Sequence, residues 1–373
     1  MTQINIYGNI LGSSGYEVHT RQLANALSKI TEVKLTTSIP QNAVTLLTDK
    51  EIEMLKKPDK GEINLIITSP IYWKMYTTAK RNWAFLVFEG DKIPKSWLTE
   101  CLNIDVEYIF VPSNHTRNAI LETLADNTNA SVVPEGQGIP INKDYSTLVN
   151  KIKIIPHGVN PDLFYSKEKP KDKFRFLCNK GFRNLEDRGG IQYAIQAYLE
   201  EFTNKDNVEL IIKINPAYGI PDVNKLVSEL VPKDKKDFAS IQINADNINY
   251  DKLVDLYNKA HVLVAPSRAD AFNIPVAEAL ACEVMPIISN FQGASDFVDN
   301  EVGLIIGGEL KEVQHELLYE GVKWLDVSIP ELRKAMRWCY NNQDKVKEKA
   351  LLGKERIKDW TWDHTVQKIR NLI

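Results

Sequence analysis

The sequence predicts an α/β protein built from two Rossmann-like, doubly wound domains in tandem. Three observations predict it. The chain has 373 residues, more than one ordinary core accommodates. Short apolar runs alternate with stretches of helical periodicity, the pattern of parallel strands covered by helices. A lysine-rich stretch at 165–173, with one proline and few apolar residues, interrupts the alternation and reads as an exposed linker. The first domain is expected over 1–164 and the second over 174–355. Ligand crevices of doubly wound sheets lie at the carboxyl ends of the strands, so domains that face one another share one cleft.

The elements follow in order. Residues 3–7 read as a strand, 8–15 as a Gly and Ser loop, and 16–30 as a helix with Val18, Leu23, Ala26 and Leu27 on its apolar side. Further strands are expected at 63–68, 84–88, 108–111 and 152–155. Beyond the linker the strands are 174–178, 208–214, 240–243, 262–265, 285–289 and 303–306. Helices are expected near 189–202, 222–231, 250–260, 274–282 and 328–341.

Composition excludes several classes. Hydrophobic residues make up 43% and charged residues 25%, the balance of a globular chain. The formal net charge is -3 without a basic tail, which argues against a general nucleic-acid surface. No run approaches the roughly 18 apolar residues of a membrane span, and the start has no basic leader, so a cytoplasmic location is expected. Cys101, Cys178, Cys282 and Cys339 are scattered and form no CxxC pair, so they read as buried small hydrophobes.

The most informative stretch is 265–282. It sets Asp270 and Glu278 on either side of a strand-to-helix turn, with Pro275 in the first helical turn, where its missing N–H is not needed. The amides of Phe272, Asn273 and Ile274 are then expected to face an anion. This stretch resembles the acidic signature of the retaining glycosyltransferase family four, among the glycosyl transferases group 1, which has the GT-B fold of two Rossmann-like domains facing across a cleft. The family usually has two glutamates here, and this chain has Asp270 in the first place. Residues 154–160, 255–262, 286–293 and 360–362 resemble further landmarks in the family's order. By that resemblance, residues 356–373 form a helix crossing back to the first domain. The resemblance implies that Glu278 bonds the nucleotide ribose and that Asp270 contacts the transferred sugar. Read without it, Asp270 is a helix cap and Glu278 a solvated helix residue.

A diphosphate requires cations and amide donors. The loop at 179–190 is expected to supply them: Arg183 fits the family's Arg position, and Arg188 stands one residue before its Lys position, which is Gly189 here. Arg183 and Arg188 form the expected clamp, with Lys180 in reserve; the alternative is an ordinary exposed basic loop. In the first domain, the loop Gly12, Ser13, Ser14, Gly15 opens a helix, and Gly15 is expected to allow close approach of a ligand. Glu89 follows a buried strand and either orients the acceptor hydroxyl or, as its neighbour Asp91 does in the same reading, caps a helix or pairs with a cation. His157 reads as a turn-structuring residue.

No Asp-x-Asp triplet and no His and carboxylate cluster with metal-ligand spacing occurs, so no metal and no cofactor is expected. The donor substrate is expected to be a nucleotide-diphosphate sugar, UDP- or GDP-linked. Glycan, lipid-linked and protein acceptors stay open, as does peripheral membrane association. Two other readings share the fold: a sugar-nucleotide epimerase, and a degenerate glycan-binding or partner subunit.

Overall fold

The computed structural model describes residues 2–12, 14–37, 47–127, 143–184, 186–215, 222–233, 237–314 and 317–373. Ser13 and Leu185, which the loop readings above include, lie outside the described residues. The chain divides into two units. Residues 1–157, 312–323 and 362–373 form the first, and residues 158–311 and 324–361 form the second.

The first unit is a six-stranded parallel sheet with the order β2-β1-β3-β4-β5-β6. Its strands are β1 (Gln3–Gly8), β2 (Glu32–Thr36), β3 (Ile63–Ile67), β4 (Arg81–Phe85), β5 (Tyr108–Val111) and β6 (Ile152–Ile154). β1 and β3 are buried along their whole length, as central strands covered on both faces are. β2 lies at the edge and alternates: Val33 and Leu35 are buried, whereas Glu32 is exposed. The helix Gly15–Leu27 buries Leu23, Ala24 and Leu27 against the sheet. The C-terminal helix Trp362–Arg370 packs into the same core through Trp362, Val366 and Ile369, residues one helical face apart at i, i+4 and i+7.

The second unit repeats the architecture with the order β12-β11-β10-β7-β8-β9. Its strands are β7 (Phe174–Lys180), β8 (Val208–Ile214), β9 (Ser240–Asn244), β10 (Val262–Ala265), β11 (Met285–Ser289) and β12 (Leu304–Ile306). Strand order reverses between β7 and β10, whose carboxyl ends therefore flank the switch point of the sheet. Along β7, Phe174, Phe176 and Cys178 enter one hydrophobic layer and Leu177 the other.

Two features depart from the sequence reading. The stretch 165–173 is tied to the second unit: the Tyr165 carbonyl accepts from Asn258 Nδ2 at 2.9 Å, Ser166 donates to Glu283 at 2.8 Å, and Lys167 pairs with Asp255 at 2.7 Å. Residues beyond β12 form a hairpin, β13 (Gly308–Glu312) with β14 (Lys323–Val327), and its 312–323 portion belongs to the first unit. There the Tyr319 hydroxyl donates to Glu89 Oε2 at 3.1 Å, and the Lys323 amide donates to Asp91 Oδ1 at 2.7 Å. A charged strand exposed throughout carries no hydrophobic period, which is why β13 leaves no pattern in the sequence.

Candidate functional site

At the carboxyl end of β7 the last residue, Lys180, turns its side chain into a buried polar cluster and is only 7% exposed. Its Nζ donates to Asp270 Oδ2 at 2.9 Å and to Asn273 Oδ1 at 2.6 Å. Asp270 comes from the loop after β10, and Arg188 Nη1 stands 3.8 Å from the same Asp270 oxygen. Burial by itself would push the Asp270 carboxyl up. The Lys180 and Arg188 charges, with hydrogen bonds from Lys180 and the Phe272 amide, outweigh it and hold the carboxyl down at about 2.

Two loops are joined to build this cluster. Arg188 Nη1 donates to the Ala269 carbonyl at 3.0 Å, and the Arg268 amide donates to the Arg188 carbonyl at 2.9 Å. Arg268 in turn donates to the Glu186 carbonyl at 3.0 Å. Gly190 allows the approach: its φ is 82°, and a Cβ there would lie 2.0 Å from the Pro266 carbonyl oxygen. Asn273 is in the left-handed region, φ 70°, just before the helix Ile274–Ala281, and its side chain donates to Gln292 and, at 3.4 Å, to Ser267. Gln292 Nε2 donates to the Ala265 carbonyl at 3.1 Å and the Ser289 hydroxyl at 2.9 Å, tying β10 to β11.

Glu278 lies one turn inside that helix and is 7% exposed. Burial raises its carboxyl to about 7, against a smaller downward pull from the Tyr257 hydroxyl, which donates to Oε2 at 2.7 Å.

The structure thus brings Lys180, Arg188, Asp270 and Asn273 together, with Glu278 on the adjoining helix. It does not bring Arg183 to them: that side chain is 52% exposed and faces Asp187, 3.6 Å away. The Phe272 amide, expected to face a ligand, donates to Asp270 Oδ1 at 3.2 Å, and the Phe272 ring is buried beside Phe297 and Trp360. Ile274 begins the helix and is partly exposed. Lys180, a reserve member of the clamp in the sequence reading, is central, and Asn179, Tyr257 and Gln292 lie in stretches the sequence singled out but were given no role of their own. Single Asn, Tyr and Gln residues carry no spacing signal.

In the first unit, Gly15 opens the helix Gly15–Leu27 with clear space where a Cβ would stand. The preceding loop is held by Arg21, which donates to the Gly12 carbonyl at 2.8 Å, and by a hydrogen bond from Ser14 to Glu17. His157 is buried and stacks on Phe85, with ring centroids 5.7 Å apart and planes at 10°. Among the described residues no helix is long and apolar enough to cross a membrane.

Comparison with known proteins fits this geometry. Residues 241–337, which include the Asp270 loop and Glu278, match the family model described as glycosyl transferases group 1. A probable sucrose-phosphate synthase of Thermosipho melanesiensis is 24% identical over 235 residues, 61% of this chain and 48% of the relative. The chain spans about half or less of the length of the curated relatives it matches. Among solved structures, a sucrose-phosphate synthase from Thermosynechococcus elongatus superposes with a TM-score of 0.67 at 16% identity, covering 100% of this chain and 98% of that one. Anabaena HepE, solved in complex with UDP and glucose, gives 0.65 at 12% identity, covering 100% and 99%. The fold is GT-B, and its second unit contains most of the stretch that matches the glycosyl transferases group 1 model.

Proposed function

We propose that the protein is a retaining glycosyltransferase of family four that moves a sugar from a UDP- or GDP-linked donor to an acceptor hydroxyl without a divalent metal. The observation that carries this reading is the buried cluster of Lys180, Asp270 and Arg188 at the switch point of the second sheet. Two cations about one carboxylate leave a positive centre that a diphosphate complements. The family segment and the UDP named with a GT-B neighbour support the donor class.

In this reading Lys180 and Arg188 stabilise the departing diphosphate, and Arg183 adds a more distant charge. Glu278 accepts from the ribose hydroxyls, Asp270 contacts the transferred sugar, and the amides at Asn273 and Ile274 face the donor. A carboxyl held at about 2 is a poor proton acceptor. As the family resemblance implies, the acceptor proton goes to a donor phosphate oxygen, and attack comes from the face that the nucleotide leaves. On the first unit, Gly15 leaves room for the ligand and Glu89 orients the acceptor.

A thermal-shift screen with UDP, GDP, ADP and their common sugars tests the donor class. A ligand at 100 times its Kd stabilises by about 2.7 kcal/mol. No stabilisation by any nucleoside diphosphate overturns the reading. Donor hydrolysis should persist in excess EDTA; loss restored only by a divalent ion overturns the metal-free part.

A further inference from the structure

Glu278 is held by a two-step hydrogen-bond chain that the ribose contact alone does not require. Asn179, the penultimate residue of β7, donates from Nδ2 to the Tyr257 hydroxyl at 2.9 Å, and that hydroxyl donates to Glu278 Oε2 at 2.7 Å. The three side chains come from β7, the helix Tyr250–Lys259 and the helix Ile274–Ala281. Tyr257 is fully buried in an apolar cluster with Leu177, Val254, Val276 and Leu280, its ring edge-on to Phe164 at 6.1 Å.

A phenylalanine ring would fill that space. The hydroxyl adds nothing to the packing, and burying it beside a carboxylate costs desolvation of both groups. Burial, then the Glu278 charge, raises the phenol well above its usual value, so it keeps its proton and donates. The other titratable group acting within this cluster is the thiol of Cys282, one turn beyond Glu278, which burial pushes to about 12.

We infer that Tyr257, itself held by Asn179, is a positioning residue for donor recognition: it fixes one oxygen of Glu278 and leaves the other to accept the ribose hydroxyls. This rests on the donor-site reading above.

The test is calorimetric titration with UDP from about pH 5.5 to about pH 8.5, a window that spans the Glu278 carboxyl. It compares wild type, Tyr257→Phe, Glu278→Gln and the double variant, with circular dichroism to confirm folding. In wild type, affinity should fall as pH drops through about 7 and Glu278 gains a proton. Tyr257→Phe removes the group that pulls the carboxyl down, so the fall should move to higher pH, with UDP bound about tenfold more weakly at neutral pH. Glu278→Gln should be weak and keep only the pH dependence of UDP's own terminal phosphate, and adding Tyr257→Phe to it should change nothing further. If folded Tyr257→Phe keeps the wild-type affinity and profile while Glu278→Gln is weakened, Tyr257 only packs and the inference fails alone. If Glu278→Gln binds as wild type does, the donor-site reading fails and the inference with it. Should Tyr257→Phe not fold, Asn179→Ala carries the test: a smaller displacement in the same direction supports the relay, and a wild-type profile overturns it.

Discussion

Replacing Lys180 with Met removes one charge from the centre of the candidate site while keeping most of the side-chain stem. The lysine side chain is 7% exposed and the Asp270 side chain 19%, so the pair is largely dehydrated. Removing one partner of a buried pair costs about 3 to 5 kcal/mol, because the other charge is left uncompensated. Asp270 would keep Arg188 at 3.8 Å and the Phe272 amide at 3.2 Å, which places the cost at the low end, about 3 kcal/mol.

Linkage gives a second measure. A carboxyl held at about 2, against an ordinary 3.8, contributes about 2 kcal/mol that is present above about pH 4 and lost as pH falls through about 2. The two figures agree in order of magnitude. For a unit of about 190 residues, 3 kcal/mol lowers Tm by about 6 to 12 °C. Scanning calorimetry at neutral pH should show that shift in Lys180→Met. Melts at falling pH should show a smaller acid-side loss than in wild type, since the Asp270 carboxyl rises toward its unfolded value when Lys180 is gone. Adding Asp270→Asn should recover part of the loss by removing the stranded charge. A Lys180→Met protein that melts within about 1 °C of wild type, with an unchanged acid profile, refutes the coupled network.

The same geometry separates the two arginines. Arg188→Ala should weaken nucleoside diphosphate binding about tenfold to a hundredfold, as loss of a charge-assisted contact does, whereas Arg183→Ala, already facing Asp187, should weaken it by less than about threefold. Calorimetry that reverses this order refutes the placement of the clamp. For the carboxylates, Asp270→Asn should lower kcat more than it raises KM, while Glu278→Gln should mainly raise the donor KM. Asp270→Glu should reduce activity, because the added methylene crowds Lys180 and Asn273; wild-type kinetics in all three variants rule out the acidic motif as the donor site. In the first unit His19 is 1% exposed, packed against Phe85 and His157, and among the described residues neither ring nitrogen has a hydrogen-bond partner. Burial, then His157, lowers its pKa well below 6.5. The unfolded chain therefore binds the proton more readily, and stability should fall below about pH 6.5 by up to about 1.4 kcal/mol per pH unit. His19→Phe should flatten that slope in denaturant titrations, and an unchanged slope refutes the assignment.

The strands of the second sheet were legible because parallel strands buried on both faces read as continuous apolar runs, as Val262–Ala265 and Met285–Ser289 do. β2 was not read as a strand, although Val33 and Leu35 alternate with Glu32 and Lys34. At five residues an edge strand offers two apolar positions, too few to stand out after a helix. The attachment of 165–173 was hidden for a different reason. Lysine, serine and tyrosine there hold the second unit through hydrogen bonds and ion pairs to Asp255, Asn258 and Glu283, residues that are remote in sequence. Composition records polarity but not which partner satisfies it.

The candidate site divides along the same line. Asp270 and Glu278 were legible as a local motif, since a strand, a turn and the first helical turn fix their spacing. Among the cations spacing favours Arg183, and spacing does not show that Asp187, four residues on, faces that side chain. The partner that reaches Asp270 is Lys180, 90 residues away in sequence, and only the pairing of β7 with β10 brings the two chain segments together. β7 does carry one usable signal. Its period of two sends Phe176 and Cys178 to one layer and Leu177 to the other, so the next two residues must part in the same way. Asn179 follows Leu177 to Tyr257 and Glu278, while Lys180 goes to Asp270 and Asn273. A register slip of one residue would exchange a neutral amide for an ammonium at both places, leaving Asp270 without its main cation and burying a charge beside Tyr257. The apolar alternation of β7 that builds the core thus also sets which of its last two polar residues serves each carboxylate.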